Sequence, residues 1–412
     1  MDRTLRSHAD HIIDASIRAV QPDEAVKRAL LGKEFSGRVV LVSAGKAGWQ
    51  MAKAAYDTLG DRIDRGVVVT KYNHVKGPIG SFTCVEAGHP IPDENSFKGT
   101  KEALDAVKDL NEKDTVLFLL SGGGSALFEK PLVDGSVLQD VTGQLLACGA
   151  SITEINTIRK RLSAVKGGRF AQLCEPAQVF SIVLSDILGD PLDMIASGPA
   201  CPDQSTCEDA LMILKKYDLK LSDEVKALLE KETPKTLSNV ETKITGSVIQ
   251  LCTAAGNACR ELGYEPVILT DHLCCQAKEA GSFLASIART HAKSGKKLAF
   301  IAGGETVVKI VGEGLGGRNQ ELALSASEVI DGIKGTAVFS VGSDGTDGPT
   351  DAAGGYVDWQ SAEDLKKAGV DVYQTLQNND SYHALKQIGG LVITGPTGTN
   401  VNDVAVVLIN DI

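Results

Sequence analysis

The sequence predicts a soluble α/β protein of two domains, from its length, its short uninterrupted apolar runs, and the amphipathic segments set between those runs. A chain of 412 residues exceeds the size at which one hydrophobic core keeps growing, so two domains are expected. With 43% hydrophobic and 23% charged residues, two cores can be filled without disulfides or metals.

The apolar runs are Val39–Ser43, Val67–Thr70, Thr115–Leu120, Val179–Leu184, Val267–Thr270, Leu298–Ala302 and Ala337–Val341. They lack alternation, which suits strands buried on both faces of a parallel sheet. Between them, Lys46–Leu59, Ser96–Leu110 and Glu321–Ile330 read as amphipathic helices. Strand alternating with helix implies right-handed βαβ units. The stretch Asp203–Lys243 is rich in Lys, Glu and Asp. It reads as a solvated helix pair followed by a linker around Glu232–Thr245. The boundary falls there, giving domains 1–240 and 241–412.

A net charge of −11 argues against nucleic-acid or anionic-membrane partners, which need a positive field. A small anionic substrate remains compatible, because a pocket can be locally basic. Nine scattered cysteines without CxxC spacing read as reduced thiols of a cytoplasmic protein. The N-terminal stretch is amphipathic rather than a signal sequence, and no segment approaches the ~20 apolar residues a membrane span needs.

Glycine placement carries the chemistry. Clusters follow the strands at Ser43–Gly48, Ser121–Ser125, Gly303-Gly304, Gly312–Gly317 and Gly342–Gly348. In doubly wound sheets ligands bind beyond the carboxyl ends of strands, where glycine lets backbone N–H groups approach an anion. Five such loops point to polyanionic ligands. Ser121, Gly122, Gly123, Gly124 and Ser125 form either a phosphate cradle or a tight turn. Lys46 lies in a βα turn, facing an anion or the solvent. Arg318 and Asn319 open the Glu321–Ile330 segment, where Arg318 is either a bidentate anion donor or the partner of Glu305 or Glu321. Asp344 and Asp347 sit in one glycine-rich loop, and Asp186 ends another strand. These carboxylates suit Mg²⁺, a substrate hydroxyl, or the turns themselves. The P-loop, the dinucleotide fingerprint and the GxSxG elbow are all missing.

In order along the chain, SAGKAG, AGHPIPDENS (Ala87–Ser96), LSGGGSALF, EINTIRKRLSAVKGGRF (Glu154–Phe170), SDILGDPLDMIASGP (Ser185–Pro199), GGET, GGRNQE and SDGTDGPTDAAGG make a set that resembles the glycerate 2-kinases from about residue 5 to 410. The C-terminal region of that family is called MOFRL. The resemblance implies a larger Rossmann-like parallel-sheet domain and a smaller C-terminal α/β domain, with the active site in the cleft. It implies Mg·ATP and D-glycerate as substrates and 2-phosphoglycerate as product. Lys46 and Arg318 take the family's catalytic positions, with Asp344 and Asp347 as further catalytic candidates. Ser121–Ser125 and Asn319 become the nucleotide contacts. Glu154, Asn156 and Arg159 become the substrate motif, and Asp186 and Asp347 the metal ligands. The rival activity, an NAD(P)H-dependent hydroxypyruvate reductase, lacks a dinucleotide fingerprint. A non-catalytic sensor would not need the acidic pair.

Overall fold

The computed structural model describes residues 1–410, which form two compact units, Pro22–Thr245 and Met1–Gln21 together with residues 246 onward. Each unit is built on one six-stranded sheet.

The N-terminal unit contains β1 (Val39–Ala44), β2 (Ile63–Lys71), β3 (Thr83–Ala87), β4 (Thr115–Leu120), β5 (Gln178–Leu184) and β6 (Val240–Gly246), in the order β3-β2-β1-β4-β5-β6. Strands β1 to β5 pair in parallel. Successive residues of β1 serve opposite faces. Val40 and Val42 join Phe118, Phe128 and Phe170 in one core, while Val39 and Leu41 join Met51, Leu117 and Leu119 in the other. This explains the unbroken apolar runs: both faces are covered.

One expectation for this unit needs correction. The predicted linker is not free, because β6 lies within it and closes the sheet edge. The Val179 N–H donates to Asn239 O at 2.7 Å, and Asn239 Nδ2 bonds Ala171 O and Ala177 O at 2.9 and 3.0 Å. Its alternating sequence, half exposed, carried no continuous apolar signal. The helix pair before it is present, at Cys207–Lys216 and Asp223–Leu229.

The C-terminal unit holds β7 (Glu265–Leu273), β8 (Leu298–Gly304), β9 (Thr336–Gly342), β10 (Gly354–Asp358), β11 (Leu391–Val392) and β12 (Asp403–Ile409), ordered β11-β10-β9-β12-β8-β7. This sheet is mixed: β12 runs antiparallel to both β8 and β9. At its edge, β7 departs from the buried-strand reading, since Val267, Ile268 and Leu269 are 40–45% exposed. The first 21 residues also belong here, against the predicted 1–240 grouping. The Arg3–Ala19 helix buries Leu5, Ala9, Ile12 and Ile13, and His8 Nδ1 pairs with Tyr264 Oη at 2.8 Å. Among the described residues no helix is long and apolar enough to cross a membrane.

Candidate active site

The N-terminal sheet reverses its strand order between β1 and β4, and such a switch point opens a crevice beyond the strand ends. The two loops that leave these strands are tied together. The Lys46 N–H donates to Gly122 O at 2.9 Å and the Ala47 N–H to Ser121 Oγ at 3.1 Å. Gly45, at φ 125°, permits this, since a Cβ there would lie 2.2 Å from Ser121 Oγ. The Gly48–Leu59 helix begins at this point without a side-chain cap, so its positive end faces the crevice. The N–H groups of Gly122 and Gly123 have no acceptor among the described residues. Neither has Lys46 Nζ any hydrogen bond or ion pair there. A Cβ on Gly123, at φ 86°, would meet Lys46 Cγ at 3.2 Å and His89 Cδ2 at 2.9 Å, so these two side chains flank the loop.

The far wall comes from beyond β5. A Cβ on Gly122 would fall 2.2 Å from Asp186 Oδ2, which brings that carboxylate against the loop. Ala196, Ser197 and Gly198 then take three successive left-handed conformations (φ 51°, 61° and 65°). For the two non-glycine residues this costs about 1–2 kcal/mol each. The strained turn seats Ala196 in the space that a Cβ on Gly124 would need and aims Ser197 Oγ at Asn156 Oδ1, 3.0 Å away. From the same Ile152–Arg161 helix, Arg159 Nη2 donates to Ser125 O at 3.2 Å. Asn156 and Arg159 therefore converge on the loop.

Glu154, expected beside them, does not. It completes the capping box of its own helix, accepting the Ser151 N–H at 2.8 Å, and also takes Lys216 Nζ at 2.7 Å and Tyr217 Oη at 2.9 Å. The Lys216 bond above all draws its carboxyl down to about 2.

In the C-terminal unit the ends of β8 and β9 meet the start of β12, because β12 opposes both. Arg318 is gripped there. Its Nε and Nη2 donate to the Asp403 carboxylate at 2.5 and 3.0 Å, and Nη1 donates to Glu305 at 3.1 Å. Burial opposes its charge, but the Asp403 bond and field outweigh burial and hold the guanidinium more firmly protonated. Asp403 gave no signal in the sequence beyond its position at the head of the apolar β12 run.

Asp347, read from sequence as catalyst or metal ligand, is a buried cap. It accepts the Asn319 and Gln320 N–H groups at 3.1 and 2.8 Å and their side-chain amides at 3.3 and 3.0 Å. These are the first orphan donors of the Arg318–Ala326 helix. Burial pushes its carboxyl up to about 6. Asn319, expected to touch nucleotide, is 1% exposed and also accepts Ser340 Oγ at 2.5 Å, so no atom is left for a ligand. Asp344 forms an Asx turn with the Thr346 N–H at 2.9 Å and stays on the wall of a cavity of about 520 Å³, with Glu305, Thr306, Ile310, Arg318 and Glu321.

The glycines of this unit have a different purpose from that expected. A Cβ on Gly312 would sit 2.4 Å from Asn378 Cα, and one on Gly316 2.2 Å from Ser381 Oγ. They admit the 378–381 segment rather than an anion. Among the described residues no group of three or more His, Cys, Asp or Glu side chains is placed to hold a metal.

Comparison with known proteins agrees with this architecture. The model for a domain of unknown function, DUF4147, matches residues 8–230, and that of the MOFRL family matches 298–403. A D-glycerate 2-kinase of Thermotoga maritima is 56% identical over 412 residues, covering 98% of this chain and 99% of its own. The chain belongs to the glycerate 2-kinase family. It is accordingly a kinase. The crystal structure of a glycerate kinase from Thermotoga maritima superposes with a TM-score of 0.95 at 55% identity, over 99% of this chain and 100% of that one. A relative from Agrobacterium vitis, 39% identical over 99% of this chain and 95% of its own, carries a provisional hydroxypyruvate reductase name.

Proposed function

We propose that this kinase transfers the γ-phosphoryl group of ATP, with Mg²⁺, to the 2-hydroxyl of D-glycerate, giving 2-phosphoglycerate and ADP. One observation carries the reading. At the switch point of a parallel sheet, two backbone N–H groups and one lysine ammonium stand without partners among the described residues, beside an uncapped helix N-terminus. Such a set awaits a polyanion.

Phosphoryl transfer asks for positioning and charge stabilisation more than covalent chemistry. The hydroxyl oxygen attacks phosphorus in line as the bond to ADP breaks. Lys46 neutralises the charge gathering on the moving oxygens, and the Gly122 and Gly123 N–H groups hold one of them. Arg159, steadied by Ser125, takes the glycerate carboxylate, with Asn156 fixing the Ser197 turn beside it. Mg²⁺ fits the donor set at Asp186, since the ion takes one or two carboxylates together with phosphate and water. When bound it would offset charge on the donor phosphates. In the C-terminal unit Asp344 is left for acid–base or metal work, because Asp347 and Asp403 are engaged with their partners. Arg318 acts with Asp403 and Glu305 as one orienting group.

The test is direct. Purified protein with D-glycerate and Mg·ATP should yield 2-phosphoglycerate, identified by ³¹P and ¹H NMR. The 3-phosphate isomer would overturn the regiochemistry, and NADPH consumption with hydroxypyruvate would revive the reductase.

A further inference from the structure

The motif Ala87–Ser96 has no task in the mechanism above, yet it forms a rigid arm over the phosphate loop. Asp93 caps the Glu94–Ala106 helix by accepting the Ser96 N–H at 3.0 Å. The same carboxylate accepts Tyr72 Oη at 2.7 Å and the Gly88 N–H. Held on both sides of the turn, the arm keeps His89 across Gly123, where a Cβ would lie 2.9 Å from its Cδ2 and 3.1 Å from its Nε2.

The imidazole is half-buried, and neither ring nitrogen has a hydrogen-bond partner among the described residues. A partly desolvated polar group without partners is costly unless a ligand supplies them. The groups whose charge acts on it are Lys46 from the loop after β1, Lys71 at the end of β2, and His74 in the turn that follows; no carboxylate is among them. Burial first, then these cations, hold His89 below the ordinary histidine range.

We propose that His89 is a further catalytic residue, whose Nε2 hydrogen-bonds an oxygen of the phosphoryl group resting on the Gly122 and Gly123 N–H groups, opposite Lys46. This rests on the phosphoryl-transfer reading. Neutral imidazole donates through Nε2–H. An arriving anion offsets the surrounding cations, so His89 gains protons more readily once phosphate is bound.

Full-length protein with ¹⁵N-labelled histidine and backbone, titrated by NMR with inorganic pyrophosphate, separates the outcomes; His89→Gln assigns the ring signal. The inference expects pyrophosphate to shift the Gly122 and Gly123 amides and to raise the pH at which His89 titrates. His89→Ala should lower kcat/KM for ATP about ten- to a hundredfold, as for loss of a hydrogen bond to a charged group. His89→Gln, which keeps a donor, should recover part of that loss. Amide shifts with an unmoved His89 titration would overturn the role of His89 and leave the phosphate loop standing. Amides that ignore pyrophosphate would overturn both.

Discussion

The two units put glycine and charge to opposite uses. In the N-terminal unit, glycines at 45 and 123 allow turns that leave the Gly122 and Gly123 N–H groups and the Lys46 ammonium unpaired among the described residues. In the C-terminal unit, glycines at 312 and 316 admit the neighbouring 378–381 segment, and the charged groups of the glycine-rich loops are already bonded: Arg318 to Asp403 and Glu305, Asp347 to Asn319 and Gln320. An unpaired charge in a crevice is available to a ligand and adds little to the fold. A paired, buried one supports the fold and acts on a ligand only through its geometry.

Lys46→Ala should break the contrast most visibly. Loss of one electrostatic stabiliser is worth ~3 kcal/mol in the transition state, so kcat should fall by about 10²-fold or more. Because Nζ has no partner among the described residues, the thermal midpoint should not move. Steady-state kinetics beside calorimetry checks both halves, and a folded variant with near wild-type kcat would remove Lys46 from the mechanism.

Asp347→Asn tests the other side. An amide nitrogen would confront donors that now have an acceptor, costing about 2–3 kcal/mol, or roughly 5–10 °C in the midpoint of the C-terminal unit. Asp344→Asn, in an exposed turn, should leave the midpoint alone and reduce turnover. The pH dependence sharpens the assignment. The Asp347 carboxyl is pushed up to about 6 from 3.8, so the folded state binds more protons than the unfolded between those values. Its contribution to stability is therefore full below about pH 4 and falls as pH rises to about 6. That fall should be absent in the Asn variant.

The smallest expected effect belongs to Glu154→Gln. Lys216, Tyr217 and the Ser151 N–H hold this carboxylate. The midpoint should drop slightly, while KM for glycerate stays unchanged. A raised KM with an unaltered midpoint would return Glu154 to the substrate site, next to Arg159.

Local sequence was enough to fix the strands whose two faces are both covered, β1, β4, β5, β8 and β9, since burial on both sides leaves an unbroken apolar run. It was enough to locate the Ser43–Gly48 and Ser121–Ser125 loops and Lys46, because glycine and lysine beyond such runs have a local reason to be there. The order of motifs gave the family. Local sequence could not tell a covered strand from an edge, which is why Val267–Leu269 reads as buried and lies exposed. Nor could it choose partners. Arg318 finds Asp403 eighty-five positions away, Asp347 caps a helix that begins 29 positions earlier, and His89 meets Gly123 across two strands of one sheet. A carboxylate in a glycine-rich loop looks the same whether it meets water, a metal or a helix end. Only the chain folded around it sets which donors it faces and how much water it loses.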